Sequence, residues 1–411
     1  VSKRCLYSVK KSFSHFIRVH CLGNYKHQKD HTSRRVRPSR RLLTIPDYTV
    51  PLIPDHNTIS NFRKDNPRAI KNVFRATVGV ASHFELIGGK LVAGDSTKLR
   101  AQNSKKNNFT EKKIELHLEY IDNKLAEYDK ALAATDKQED KVKALSEANA
   151  LKEKIHTQKK RKAEYQRMQK HLKETGEVQI STSDPDSRQM ITRNNITEVA
   201  YNVQTTTDAE HCIPIDFQVT NTNDSKAMGE MLAHACIELG HTDFTALYDK
   251  GYHTGSEFKA AADLGVNVMV AIPAVASHAP DTAFDIANFT YDQVADTYNC
   301  PAGQTLSTNG RWYTKINGKS SNQVKHYKTS ACGACPLAEK CTKNANGRLI
   351  ERSEYAGLIE ENRIRIEQNK DLYRRRQSIV EHPYGTIKRQ WDFSYIMTKR
   401  TIERAAADSL P

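Results

Sequence analysis

No run of about 18 apolar residues occurs in the chain, so nothing in it is suited to cross a bilayer as a helix. Near its start there are basic residues but no apolar stretch of secretory type and no small-residue cleavage site. No export signal is read, and a cytoplasmic protein is expected. Acid is scarce in the first 45 residues, where Asp30 stands alone among 12 Lys and Arg. Glycine and proline are missing from residues 111–172, which removes the usual breakers from a stretch long enough for two helices. With no export signal, the 8 cysteines are not expected to form a disulfide framework and read as thiols or metal ligands.

What is present fits a globular chain. Its 411 residues, 38% hydrophobic with 17 Tyr and 12 Phe, can bury a large core and form two or three units. The 63 Lys and Arg exceed the 48 Asp and Glu to give a formal charge of +15. A surplus of that size points to a polyanionic partner, of which nucleic acid is the commonest. The segment 1–49 would neutralise phosphates without reading sequence. A solvated, disordered tail is the other reading of it.

Along the chain, residues 50–88 read as a helical unit entered through the turn Pro54-Asp55-His56-Asn57, with Ile59, Phe62, Ile70, Val73, Phe74 and Val78 spaced for one face. It could contact DNA or pack against the next domain. Residues 89–95 read as a short apolar strand ending at Asp95, where a carboxylate is costly unless paired or metal-bound. Within 111–175, Ile114, Leu118, Ile121, Leu125, Tyr128 and Leu132 alternate spacings of four and three, the seam of a coiled coil. After a polar break at 133–140, Val142, Leu145, Ala148, Leu151 and Ile155 start a return helix. That hairpin could mediate dimerisation or pack on its own domain.

Strand character returns at 199–206 and 212–220, followed by a helix over 225–239 with Met228, Leu232, Ala235, Cys236 and Leu239 inward. A strand at 244–249 ends in Asp249. Next come a helix at 256–264, a buried strand at 266–272 and one long helix after 354. This is the order of an α/β, RNase H-like mixed sheet flanked by helices. Its core would be 89–110 with 176–273, interrupted by the helical hairpin 111–175 and a small Cys-rich insertion at 274–350. The C-terminal helices in 351–411 would complete it.

Cys5, Cys21, Cys212 and Cys236 are scattered, whereas Cys332-x2-Cys335-x5-Cys341 forms a tight knuckle preceded by Cys300. Four thiolates suit a tetrahedral Zn²⁺ and leave no open position for catalysis, so the metal would be structural. Trp312-Tyr313-Thr314 and Val324-Lys325-His326-Tyr327 are expected to pair as strands that bring Cys300 back. Four free thiols are the alternative.

Five blocks then stand out: Val92-Ala93-Gly94-Asp95-Ser96-Thr97-Lys98, Asp184-Pro185-Asp186-Ser187-Arg188, Tyr201-Asn202-Val203-Gln204-Thr205, Asp249-Lys250-Gly251-Tyr252, and the stretch from Val380 to Arg389 that contains Glu381, His382, Pro383, Tyr384 and Lys388. Over residues 54–408 they resemble, in order, the signature blocks of bacterial insertion-sequence transposases of the DDE class. The resemblance implies that Asp95, Asp249 and Glu381 hold Mg²⁺ or Mn²⁺, and that Lys388 lies near the DNA backbone. Arg389, Arg376 and Tyr373 would join it in DNA binding. It also implies a nucleoid-associated enzyme that cleaves transposon ends and transfers the strand into target DNA as a homodimer or higher synaptic complex. Two divalent ions at three carboxylates can activate water or a 3′-hydroxyl and stabilise the leaving oxygen.

Taken singly, strand-end acids also cap turns or pair with lysines. Ser96 and Lys250 stand where the family pattern has small residues, and a long cation beside Asp249 could pair with it and compete with metal. Tyr373 and Arg376 keep their mutual spacing but lie one position further from Glu381 than in the family pattern. His382 reads as a structural residue or a DNA contact. The cations Arg374, Arg375, Arg376, Lys388, Arg389, Lys399, Arg400 and Arg404 around Glu381 would guide DNA or form a solvated face. Two rival functions are an inactive transposase remnant that only binds DNA and an RNase H-like nuclease without strand transfer. The resemblance thins at Arg37-Pro38-Ser39-Arg40-Arg41-Leu42 and stops at Ser409-Leu410-Pro411, as expected of a shortened copy.

Overall fold

The computed structural model describes residues 62, 65–135, 141–192, 195–274, 279–317, 320–390 and 392–396. The basic segment 1–49, the turn at 54–57 and the cations Lys399, Arg400 and Arg404 lie outside the described residues. Helix α1 (Pro67–His83) is amphipathic and buries Ile70, Phe74, Val78 and Ala81. Strand β1 (Leu91–Ala101) follows, then β2 (Asn108–Thr110) and the helices α2 (Glu111–Thr135) and α3 (Lys141–Thr175). After β3 (Gln179–Ser181) and β4 (Arg188–Ile191) come the long strands β5 (Thr197–Asp208) and β6 (Ile213–Thr220). Helix α4 (Met228–Leu239), β7 (Thr245–Tyr248), α5 (Gly255–Asp263) and β8 (Asn267–Val270) alternate after them.

All of these strands but β2 and β3, which pair with each other, join one mixed sheet in the order β4-β5-β1-β7-β8, with β6 also against β5. β1 and β5 pair antiparallel from Val92↔Asp208 to Arg100↔Ala200. β1, β7 and β8 are parallel, with Ala93↔Leu247 and Leu247↔Met269 in register. The sequence predicts a strand that stops at Asp95, but β1 runs six residues further because β5 stays paired with it throughout. β7 pairs with β1 only at 91–93, so Asp95 lies just past the point where that neighbour ends.

Alternation sends the strand residues to two faces. Val92, Ala246, Tyr248, Val268 and Val270 pack with Met228, Met231 and Leu232 of α4 and Phe258 and Ala261 of α5. Ala93, Leu247 and Met269 face the other way. Burial on both faces explains why β7 and β8 read as continuous apolar runs. Each large apolar side chain so buried contributes about 1.5–3 kcal/mol.

The hairpin of α2 and α3 buries Ile114 and Ile121 on its first helix and Ala148 and Ile155 on its second. Leu145, read among the apolar residues that start the return helix, lies on that helix but is 64% exposed. At the hairpin base, Phe109, Ile114 and Leu172 form a small cluster of their own.

The remaining strands β9 (Thr290–Asp292), β10 (Thr297–Asn299), β11 (Thr305–Asn317), β12 (Ser320–Lys328) and β13 (Ile350–Ser353) form a separate antiparallel sheet, with the short helix α6 (Ala338–Cys341) beside it. Trp312↔Lys325 is in register within it, so the two segments predicted to pair do so. The single long helix predicted after 354 is two helices, α7 (Ala356–Gln368) and α8 (Lys370–Gly385). Asn369 breaks them with φ −126° and ψ 42°, outside the helical region. Strand β14 (Tyr395–Ile396) ends the described residues by pairing with Arg100 and Ala101 of β1. Among the described residues no helix is long and apolar enough to cross a membrane.

Candidate active site

Asp95 shares the face of Ala93, beneath α8, whose Ile379 and Val380 pack on Ala93, Leu247 and Met269. The register Ala93↔Leu247 puts Asp249, two residues beyond Leu247, beside Asp95 on the neighbouring strand line, and adjacent strands lie about 4.8 Å apart. Gly94 makes that neighbourhood possible. A Cβ there would lie 2.0 Å from the Tyr248 ring, so only glycine lets the ring cross β1 directly before Asp249.

The Asp95 carboxylate accepts from the Ser96 amide at 2.7 Å and meets the Arg376 guanidinium at 3.3 Å. The Tyr384 hydroxyl donates to the Asp95 carbonyl at 2.8 Å and shares a 2.6 Å hydrogen bond with Thr205, tying α8 to β1 and β5. Burial raises the Asp95 carboxyl above its ordinary pKa; the Ser96 amide and Arg376 pull it back, while Asp249 and Asp224 push it further up. A partly buried acid among acids, with one cation against it, is a site where a divalent ion would relieve unfavourable charge.

Asp249 caps the turn Lys250–Tyr252, its carboxylate accepting from the Gly251 amide at 2.8 Å. Lys250 is exposed, and among the described residues no ion pair joins it to Asp249. Instead of meeting that cation, the Asp249 carboxylate is turned onto its own turn.

Glu381 follows the buried Ile379 and Val380 on α8, yet its side chain is exposed and accepts from Gln377 at 2.8 Å. The structure thus brings Asp95 and Asp249 together and leaves Glu381 turned along its own helix. No three His, Cys, Asp or Glu side chains among the described residues are grouped closely enough to hold a metal ion. Tyr373 and Arg376 both face the acids. The Tyr373 hydroxyl donates to the Tyr248 carbonyl at 2.9 Å, directly before Asp249, and Arg376 pairs with Asp95. Lys388 is half-buried and Arg389 exposed, in the π-helical turn Thr386–Gln390 that follows α8.

One acid of this neighbourhood is absent from the sequence reading. Asp224, in the turn before α4, accepts from Asn202 at 2.7 Å and Gln204 at 2.8 Å, and pairs with Lys98 at 3.3 Å. Burial works against its charge, but the bonds from Asn202 and Ser96, the Lys98 ammonium and the Gln204 bond together hold its carboxyl below the usual range. The signal lay in the alternating Asn202 and Gln204 of a core strand. Both are fully buried and point to one face, and buried amides require a partner.

The four clustered cysteines stand elsewhere and, like the acids, are not grouped closely enough to hold a metal ion, so the tetrahedral Zn²⁺ site expected of them is not formed here. Cys300, Cys332, Cys335 and Cys341 line one pocket with Phe284, Phe289 and Leu306. All four are free thiols, and the Gln304 amide donates to the Cys300 sulfur at 3.3 Å. Burial pushes the Cys341 thiol up, Arg348 pulls it down, and the other three sulfurs push it up again, as for groups sharing one small space. Gly347, at φ +85°, lies against Cys332, where a Cβ would come within 2.5 Å of the cysteine's own.

Residues 299–402 match the transposase DDE domain family. The matched stretch includes the four cysteines and Glu381, while Asp95 and Asp249 precede it. No curated protein and no solved structure matches the chain.

Proposed function

Since the chain is related to the DDE-class transposases through residues 299–402, we propose that it is a DNA transposase that cleaves insertion-sequence ends and joins them to target DNA at Asp95, Asp249 and Glu381. The observation that carries this reading is the Asp95–Asp249 pair: two acids on neighbouring strand lines, one of them partly buried and raised in pKa, beneath the helix that carries Glu381. The strand order β5-β1-β7-β8, with β6 antiparallel on β5, supports an RNase H-like sheet into which the hairpin and the Cys-rich segment are inserted.

The donor set, carboxylates with an exposed acid within one helix, fits a hard oxygen-seeking cation. Bound there, Mg²⁺ or Mn²⁺ would activate the attacking oxygen and stabilise the leaving one. In the first step a water oxygen bonds to phosphorus and the P–O3′ bond breaks, freeing a 3′-hydroxyl. In the second that hydroxyl attacks a target phosphodiester, and a new P–O bond replaces the one that breaks. Ser96 and Tyr384 hold Asp95 in place through its carboxylate and its carbonyl. Glu381 would complete the donor set by leaving Gln377 for a cation held by the acid pair. Arg376, now paired with Asp95, would be free to hold a DNA phosphate once a cation takes its place there, and Lys388 and Arg389 would extend that cationic track with Tyr373 at its base. A homodimer or larger synaptic complex would hold two ends at once, with the protein on the nucleoid.

Cys300, Cys332, Cys335 and Cys341 are four soft donors of the kind a structural Zn²⁺ takes; they line one pocket without being grouped closely enough to hold the ion, so they would have to close around it. Bound zinc would staple β10, the turn at 330–334 and α6 to one another.

The test is cleavage and strand transfer on DNA bearing the element's own ends, with Mg²⁺ or Mn²⁺, comparing the chain with Asp249→Ala and Glu381→Ala. Metal-dependent joined products, lost in both variants, are expected. Strand cutting without joining would favour the nuclease, and DNA binding without either would favour the remnant.

A further inference from the structure

Asp224 belongs to none of the sequence blocks, yet side chains from three of them meet around it. From β1, Ser96 and Lys98 reach it; from β5, Asn202 and Gln204 do. Those four are alternate residues on paired strands, with Ser96↔Gln204 and Lys98↔Asn202 in register, so they share the sheet face opposite α8. Gln204 also accepts from the Tyr252 hydroxyl, which joins the turn capped by Asp249 to the same network. At Gly251, a point one Cβ from the backbone lies 3.0 Å from an Asp249 oxygen and 3.4 Å from an Asp224 oxygen, so the two carboxylates flank one glycine.

We propose that Asp224 is a positioning residue that locks the Asp95 strand to the Asp249 turn and holds the Lys98 ammonium away from the metal-binding pair. This rests on the reading of Asp95 and Asp249 as the metal site. Asp224 itself is not the ligand. One oxygen is taken by Asn202 and Gln204, the other by Lys98, and Ser96 bonds the same carboxylate, so its acceptor capacity is used. Its effect passes through others. Ser96 gives its hydroxyl to Asp224 and its amide to Asp95, so the two faces of β1 are joined at one residue. Without the Asp224 charge, Lys98 would be left as an unpaired cation three residues from Asp95 on the same strand.

The experiment is Mn²⁺ titration of the full-length chain by calorimetry, with thermal unfolding measured on the same samples. Asp224→Asn keeps the shape and removes the charge. Outer partners of metal ligands are worth about 10–100-fold in affinity, and a loss of about tenfold or more is expected in the folded variant. The double variant Asp224→Asn with Lys98→Met is expected to recover much of that loss, because the stray cation is gone. A purely structural Asp224 would lower the melting temperature and leave Mn²⁺ affinity unchanged, which overturns the proposal. If Asp224→Asn does not fold, Lys98→Met alone decides: tighter Mn²⁺ binding supports the proposal and unchanged binding overturns it. Asp249→Ala separates the two readings. Wild-type binding that this change does not remove would sink the metal site and the proposal together, whereas binding that it removes, unaltered by Asp224→Asn, would sink the proposal alone.

Discussion

The two sheets treat a carboxylate in opposite ways. In the five-stranded sheet, Asp296 receives Lys325 at 2.8 Å, the Tyr291 hydroxyl at 2.8 Å and the Tyr327 hydroxyl at 2.5 Å. Lys325 and then Tyr327 hold its carboxyl down at about 2. In the seven-stranded sheet, Asp95 has an amide and one 3.3 Å guanidinium, two acids nearby, and a pKa moved upward by burial. A carboxylate whose bonds the fold has completed is part of the scaffold. One left short of positive charge in a partly buried place is poised to take a cation from outside. The same contrast separates Asp224, completed by four neighbours, from Asp249, which caps only its own turn.

The largest effect on this contrast should come from Gly94→Ala, which drives a methyl into the Tyr248 ring and pushes β7 away from β1 where the two acids meet. Overpacking of that kind costs about 1–3 kcal/mol. Urea unfolding should show at least that loss, together with weaker Mn²⁺ binding. An Ala variant of full stability would mean that the close strand approach is not what sets the pair.

The satisfied acid should behave differently. Asp296→Asn removes the charge that Lys325 and two tyrosines complete, at an expected cost of about 1 kcal/mol because the pair is partly exposed. Metal binding at Asp95 and Asp249 should be unaltered. A folded pKa of about 2 lies below the unfolded value of about 3.9. The stabilisation is therefore present above about pH 4 and disappears as the pH falls towards 2. Stability curves of the two proteins should converge at acid pH. A gap that persists to pH 2 would contradict the assignment.

The smallest effect sharpens the comparison with a histidine. His234 on α4 meets the buried Asp216 of β6 at 3.0 Å, and that hydrogen bond raises its pKa above the ordinary value against the effect of burial. Raised in the folded state, it stabilises most below its unfolded pKa, and the contribution is lost as the pH rises through the folded value. An NMR titration should place His234 above the ordinary histidine range and show Asp216→Asn lowering it. An unshifted midpoint in the parent chain would remove this pair from the scaffold.

Much of the site's frame was legible from sequence. The apolar runs before Asp95 and Asp249 are strands, and their order sets the two acids side by side. What sequence could not supply depends on partners distant in the chain. β1 continues past Asp95 because β5, about a hundred residues later, pairs along its whole length, and local hydropathy does not record that. Asp224 sits in a polar turn that looks like any loop, and only the buried Asn202 and Gln204 demand it. The direction of the Glu381 side chain is a rotamer choice made by Gln377 one turn earlier. Adjacency alone left open a Lys250–Asp249 pair, and the capped turn decides against it by holding the Asp249 carboxylate on the Gly251 amide.

The most direct measurement is anomalous diffraction from crystals of the chain grown with Mn²⁺ and a DNA end. The account predicts a manganese peak between the carboxylates of Asp95 and Asp249, with Glu381 released from Gln377 and turned to it. A peak at other residues, or none with DNA in place, would contradict the assignment of this pair as the metal centre.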